Sequence, residues 1–365
     1  MVTTLRQSET HTRTRPGFVD CDLHNELDSD KDLHPYLSKR WLDHLLTYGT
    51  RKPAGGMYPR FMGHRQDAQP PSGRLSGSEV AFTRSNFLDK WGCAYGILNP
   101  LSPAGSQQNP EFDAALATAV NDWQVAEWLD PEPRLRASII LPFEHADLAI
   151  AEIERRSTDK RFVQVQFSGR PHEPMGRRKY WPIYEACSKY GLVVMSHAFG
   201  SFGQPITGTG WPSFYLEEHV GPAQAMQANL TSMVIEGVFD RFPTLKVVSA
   251  ENGFGWLPSL AWRLDNTYAL LKSEVPHLKR LPSEYLHEHV YLCTQPIEEP
   301  HKPKYFHQLL EQFGNVDRLV FATDYPHWDW DSPDLAFPVQ LPPDVQQKIY
   351  FDNAAALYGL PQPGG

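Results

Sequence analysis

The sequence is short of the features that mark several large protein classes. Its four cysteines, Cys21, Cys93, Cys187 and Cys293, are far apart and form no C-x-x-C pair. Neither a disulfide framework nor a thiolate metal cluster is indicated, and a reducing compartment fits better. No stretch approaches the ~20 consecutive apolar residues that cross a bilayer. Met1 to Pro16 is polar and rich in Thr and Arg, without the apolar centre of a secretory signal. It reads as a disordered tip, and a cytoplasmic location is expected. Positive charge is scarce too: 34 Lys and Arg against 43 Asp and Glu leave a formal charge of −9, which argues against a nucleic-acid or anionic-membrane surface. The densest basic run, Arg177-Arg178-Lys179, has no aromatic interleaved for base stacking. Internal repeats and low-complexity tracts are also missing.

What the 365 residues do contain is a 41% hydrophobic fraction, ample for a core, with 32 prolines and 25 glycines that point to long structured loops. Short apolar runs bounded by turn residues recur at Phe18 to Asp22, Trp91 to Leu98, Leu135 to Leu141, Phe162 to Phe167, Leu192 to His197, Leu245 to Ala250, Val290 to Cys293 and Leu319 to Thr323. Between them lie segments with helical spacing, clearest at Asp113 to Leu129, Ala146 to Arg156, Tyr180 to Tyr190 and Tyr305 to Phe313. Gly191 and Gly314 stand where left-handed helix caps are needed. Eight βα units predict an α/β fold, a (β/α)8 TIM barrel forming one domain over residues 17–360. Long insertions follow strand 1 (Glu26 to Phe87) and strand 5 (Phe199 to Pro243, with helix over Pro222 to Phe242). Both leave strand C-terminal ends, the face where barrels carry their active sites.

The strand ends hold the candidate chemistry. Alternation on the first strand places Asp20, Asp22 and His24 on one face and Val19, Cys21 and Leu23 on the other. The fifth strand ends in His197, the sixth is followed by Glu251 and the eighth by Asp324. Imidazole and carboxylate donors suit zinc, iron or manganese, and Asp22, His24, His197 and Asp324 can meet only if the barrel closes. Glu251 is a candidate base, further ligand or structural acceptor. His219, in the fifth loop, is a second-metal ligand, a substrate-orienting group or a packing residue. His327, Asp329 and Asp331 read as groups ordering the ligands and loops. Trp211, Phe214, Trp328 and Trp330 suggest a partly aromatic pocket or plain loop packing.

The segments V-D-C-D-L-H at 19–24, V-M-S-H at 194–197, G-V-F-D-R-F-P-T-L-K-V-V-S-A-E-N-G at 237–253 and F-A-T-D-Y-P-H-W-D at 321–329 resemble the amidohydrolase superfamily. The likeness is to its amidohydrolase-2 group, which includes relatives of aminocarboxymuconate-semialdehyde decarboxylase. The resemblance implies that Asp22 and His24 replace the first-strand metal pair, with His197 and Asp324 as the fifth- and eighth-strand ligands. It also implies a histidine after strand six in the decarboxylase members, where this chain has Glu251. Hydrolysis of a small amide, ester or lactone by metal-activated water is therefore the first expectation, with Glu251, Asp324 and His219 as catalytic candidates. One alternative is non-oxidative decarboxylation, which needs a cation such as Arg60, Arg65 or Arg84. The other is a diiron monooxygenase, with Glu251 and His219 as second-metal ligands. Zinc is the first choice of divalent metal, with mononuclear or dinuclear iron, or manganese, as alternatives. The expected partner is a small molecule, with homodimerisation an option.

Overall fold

Each predicted apolar run becomes a strand in the computed structural model, which describes residues 17–51, 63–198 and 205–362. The predicted disordered tip and Arg60 lie outside these residues. The strands are β1 (Phe18–Leu23), β2 (Cys93–Leu98), β3 (Leu135–Ile140), β4 (Phe162–Ser168), β5 (Val193–His197), β6 (Val247–Ala250), β7 (Val290–Cys293) and β8 (Leu319–Val320). They pair in parallel in sequence order. Backbone hydrogen bonds from Cys21 N to Phe321 O (2.9 Å) and from Asp324 N to Asp22 O (3.1 Å) then join the last strand to the first. This is the predicted TIM barrel.

Local signals place the helix ends. The helix after β2 starts at Pro110, ahead of the predicted Asp113, because the Asn109 side chain accepts the Phe112 N–H and proline is tolerated in the first turn. Gly191 and Gly314 take the left-handed conformation expected of them, at φ of 69° and 73°. The helix expected over Pro222 to Phe242 divides at Gly237, whose φ of 83° ends Pro222–Ile235 before the short helix Val238–Arg241. In the first insertion, Asp30–Tyr36 packs on the helix Pro110–Trp123. His64 instead returns to the rim, bridging His327.

The barrel has two apolar faces. Phe18, Leu23, Leu98, Val194, Val247 and Phe321 join the helices in the outer core. Val19, Cys21, Met195, Val248, Ala250, Cys293 and Val320 form a separate inner cluster with the C-terminal residues Phe351 and Ala354.

β1 corrects the expectation of strict alternation. Asp20 pairs with Gly96 and Leu23 with Leu98, so β1 takes three steps where β2 takes two. One extra residue in a strand is a β-bulge, and it turns every later side chain to the opposite face. Val19 and Cys21 point inward ahead of the shift, the shift turns Asp22 and His24 inward after them, and Asp20 is left out of the predicted polar face. The Asp20 carboxylate instead accepts hydrogen bonds from Asp22 N, Thr323 N and Thr323 Oγ1. β8, expected to run through Thr323, is regular only over Leu319–Val320, and beyond it the Asp20 side chain supplies acceptors between the backbone bonds that Phe321 O and Asp324 N make to β1. Burial pushes the Asp20 carboxyl up to about 7 even with these donors. Asp20→Ala should cost about 1–3 kcal/mol of stability, read by urea unfolding, because it strands two buried Thr323 donors. Metal content of the folded variant should match that of the unaltered protein.

Candidate metal centre

The bulge delivers Asp22 and His24 to the inside of the barrel mouth. His197 lies opposite Ala250 of the inner cluster, and so faces the same space from β5. Glu251 follows β6 directly and Asp324 follows β8 after Phe321-Ala322-Thr323, each with a left-handed backbone, at φ of 57° and 62°. Such conformations are strained for non-glycine residues by ~1–3 kcal/mol and are held only where the surroundings require them. The structure thus brings Asp22, His24, His197, Glu251 and Asp324 together, all at most 3% exposed.

Neighbouring groups fix how these donors point. His24 Nδ1 lies 2.6 Å from Asn99 O. A carbonyl only accepts, so Nδ1 carries the proton and Nε2 presents its lone pair. Asn99 Nδ2 donates to Asp22 Oδ1 at 2.8 Å, and Asn99 Oδ1 accepts from Ser138 Oγ and Gln164 Nε2. His24 Nε2 is 2.8 Å from Asp324 Oδ1 and 3.4 Å from Asp22 Oδ1. His197 Nε2 is 3.7 Å from Asp22 Oδ2 and 3.3 Å from Glu251 Oε2.

Lone pairs this close repel unless a cation lies between them. His24 Nε2, Asp22 Oδ2, Asp324 Oδ2 and Glu251 Oε2 are all buried without a hydrogen-bond partner among the described residues, a cost of a few kcal/mol for each uncompensated group. The donor set of two imidazoles and carboxylates therefore fits a divalent ion, which would satisfy these atoms together. Without one, burial and mutual repulsion push Glu251 and Asp324 well above the usual carboxylate range, while burial lowers His24.

His219 sits next to the end of the helix Tyr215–Val220, with Nε2 3.1 Å from Asp329 Oδ2 and its ring against Trp328. Donor atoms of His219, Glu251 and Asp329 form a second group within 4.8 Å of one another. His327 donates from Nδ1 to Asp324 Oδ1 at 2.6 Å, with Nε2 3.8 Å from Glu26 Oε1. Burial alone would lower its pKa, but Asp324, together with Glu26 and Glu251, outweighs burial and raises it well above the ordinary histidine value. Trp330 packs with Phe87, Trp91 and Tyr325, whereas Trp211 and Phe214 are exposed.

Of the arginines named from sequence, Arg65 and Arg84 have carboxylate partners outside the donor cluster. Arg84 pairs with Glu132 near the start of β3, at the opposite end of the barrel, and Arg65 pairs with Asp67 and covers the Trp330 ring. Sequence reasoning missed Arg170, which follows β4 and forms a buried 2.8 Å pair with Glu218. It also missed Asn99, which follows β2. Both are polar residues just past a strand, the signal that singled out Asp324.

Residues 19–360 match the protein family described as Amidohydrolase. The chain is 26% identical over 337 residues to a gamma-resorcylate decarboxylase from Polaromonas, covering 87% of this chain and 97% of that one. Its fold superposes on a dihydroxybenzoic acid decarboxylase from Polaromonas bound to manganese and 2-nitroresorcinol, with a TM-score of 0.67, 20% identity and coverage of 95% and 98%. A 5-carboxyvanillate decarboxylase from Novosphingobium aromaticivorans, also bound to manganese, gives 0.71 at 18% identity, covering 97% and 100%. Asn99→Ala, which loosens Asp22 without removing a donor, should weaken divalent-cation binding by roughly 10- to 100-fold in a chelator competition assay.

Proposed function

Because the chain belongs to the amidohydrolase family, we propose that it is a metal-dependent, non-oxidative decarboxylase of a small aromatic acid with a hydroxyl beside its carboxylate. The observation that carries this reading is the Asp324–His327 pair, with His327 Nδ1 2.6 Å from an Asp324 oxygen that also faces His24. The sequence put hydrolysis first, but the relatives above that have named activities are decarboxylases, and support falls on the alternative.

Asp22, His24, His197 and Asp324 would hold the ion. Manganese replaces zinc as the first choice, since two of those relatives carry it. Such an ion would supply a charge on which a carboxylate and its neighbouring hydroxyl can both rest.

The chain's own groups would handle the proton. Decarboxylation breaks the bond between ring and carboxyl carbon, leaving the electron pair on the ring carbon as CO2 departs. That carbon then needs a proton. His327 holds one on Nδ1, with Asp324 raising its basicity and Glu26 facing Nε2. In this reading His327 after strand eight takes the part of the histidine that the resemblance implied after strand six, and Glu251 is not needed as the catalytic base.

The test loads the protein with manganese and offers 2,6-dihydroxybenzoate and 5-carboxyvanillate, following CO2 release. In D2O, deuterium should appear at the vacated ring carbon. His327→Asn should slow turnover by about 100-fold or more while keeping its metal. Ester or lactone cleavage with no CO2 from either acid would return the protein to the hydrolases.

A further inference from the structure

We propose that the barrel mouth binds a second divalent cation, held by His219, Glu251 and Asp329. This rests on the reading that Asp22, His24, His197 and Asp324 hold the first. The donors come from three separate parts of the chain, the helix Tyr215–Val220, the end of β6 and the segment after β8, yet meet within 4.8 Å. Glu251 is 3% exposed and its Oε2 accepts no hydrogen bond from the described residues. That same oxygen stands 3.3 Å from His197 Nε2. It therefore lies at the junction of the two donor groups, where one carboxylate can serve two ions.

Charge balance points the same way. Asp22, Glu251, Asp324 and Asp329 bring four carboxylates into the mouth, more than one divalent ion and the Asp324-paired His327 together compensate. The buried Arg170 is already matched by Glu218. One imidazole and two carboxylates suit manganese, iron or zinc rather than a soft thiophilic ion. Because His219 is carried by the fifth-strand insertion, the second ion would also tie that helix to Asp329 across the mouth.

The experiment strips the full-length protein with chelator, titrates it with manganese chloride, and counts bound manganese per chain by equilibrium dialysis and elemental analysis. Electron paramagnetic resonance reports whether the ions are spin-coupled. Two manganese per chain with a coupled signal are expected. His219→Ala and Asp329→Asn should each bind one, with an uncoupled signal and affinity for the second ion down more than about 100-fold. The retained first ion is the control for folding. A stoichiometry of one in the unaltered protein at saturating manganese overturns the second site, and would mean that Glu251 keeps a proton instead. Two ions persisting in both variants also overturns it. Failure of the first site is separable, because His24→Ala would then leave binding unchanged.

Discussion

His24 Nε2 and Asp324 Oδ1 stand 2.8 Å apart inside a buried barrel mouth, each presenting lone pairs to the other. In bulk water that contact would simply relax. Here His24 is pinned by the Asn99 carbonyl and Asp324 by His327, so neither can turn away. The surroundings of the site amount to a frame that holds these donors in opposition, and a cation is what turns the opposition into binding. The same constraint explains why Asn99, Ser138 and Gln164 form a hydrogen-bonded network just beneath the site.

Two backbone distortions follow from it. A regular β1 would place Asp20 and Asp22 on one face; the bulge separates them, giving one to the site and the other to the β1–β8 seam. The left-handed turns at Glu251 and Asp324 do similar work at the ends of β6 and β8. Residues that defy local preference cluster at the mouth because the fold's stability there is exchanged for donor placement.

The mouth is rich in carboxylates, and each has a different fate. Asp20 is absorbed by hydrogen bonds and Asp324 is coupled to His327. Asp329 faces His219, and Glu218 is matched by Arg170. Glu251 alone among these has a buried oxygen facing both donor groups. A single kind of group, the carboxylate, thus meets backbone donors, a histidine, an arginine or another donor group, according to which neighbour the barrel brings to it. Helix Tyr215–Val220 is anchored on one side through Glu218 and on the other through His219, so the fifth-strand insertion is part of the site rather than an ornament on it.

Much of this was legible beforehand. The eight apolar runs marked the strands because a parallel strand buried on both faces must be apolar, and the polar residues ending them marked the rim. Asp22, His24, His197, Glu251 and Asp324 could therefore be named from local pattern alone. Alternation misassigned Asp20, since a bulge is a fact about two strands in register and leaves no period in one. Arg170 and Asn99 were missed because their partners, Glu218 and His24, are distant in sequence, and pattern could not show that Arg65 and Arg84 pair with Asp67 and Glu132 instead. The sequence by itself determined that a barrel forms and which donors reach its mouth. Only the tertiary structure decided which donors face one another, because pairing distances of a few ångströms depend on closure of the sheet and packing of its insertions.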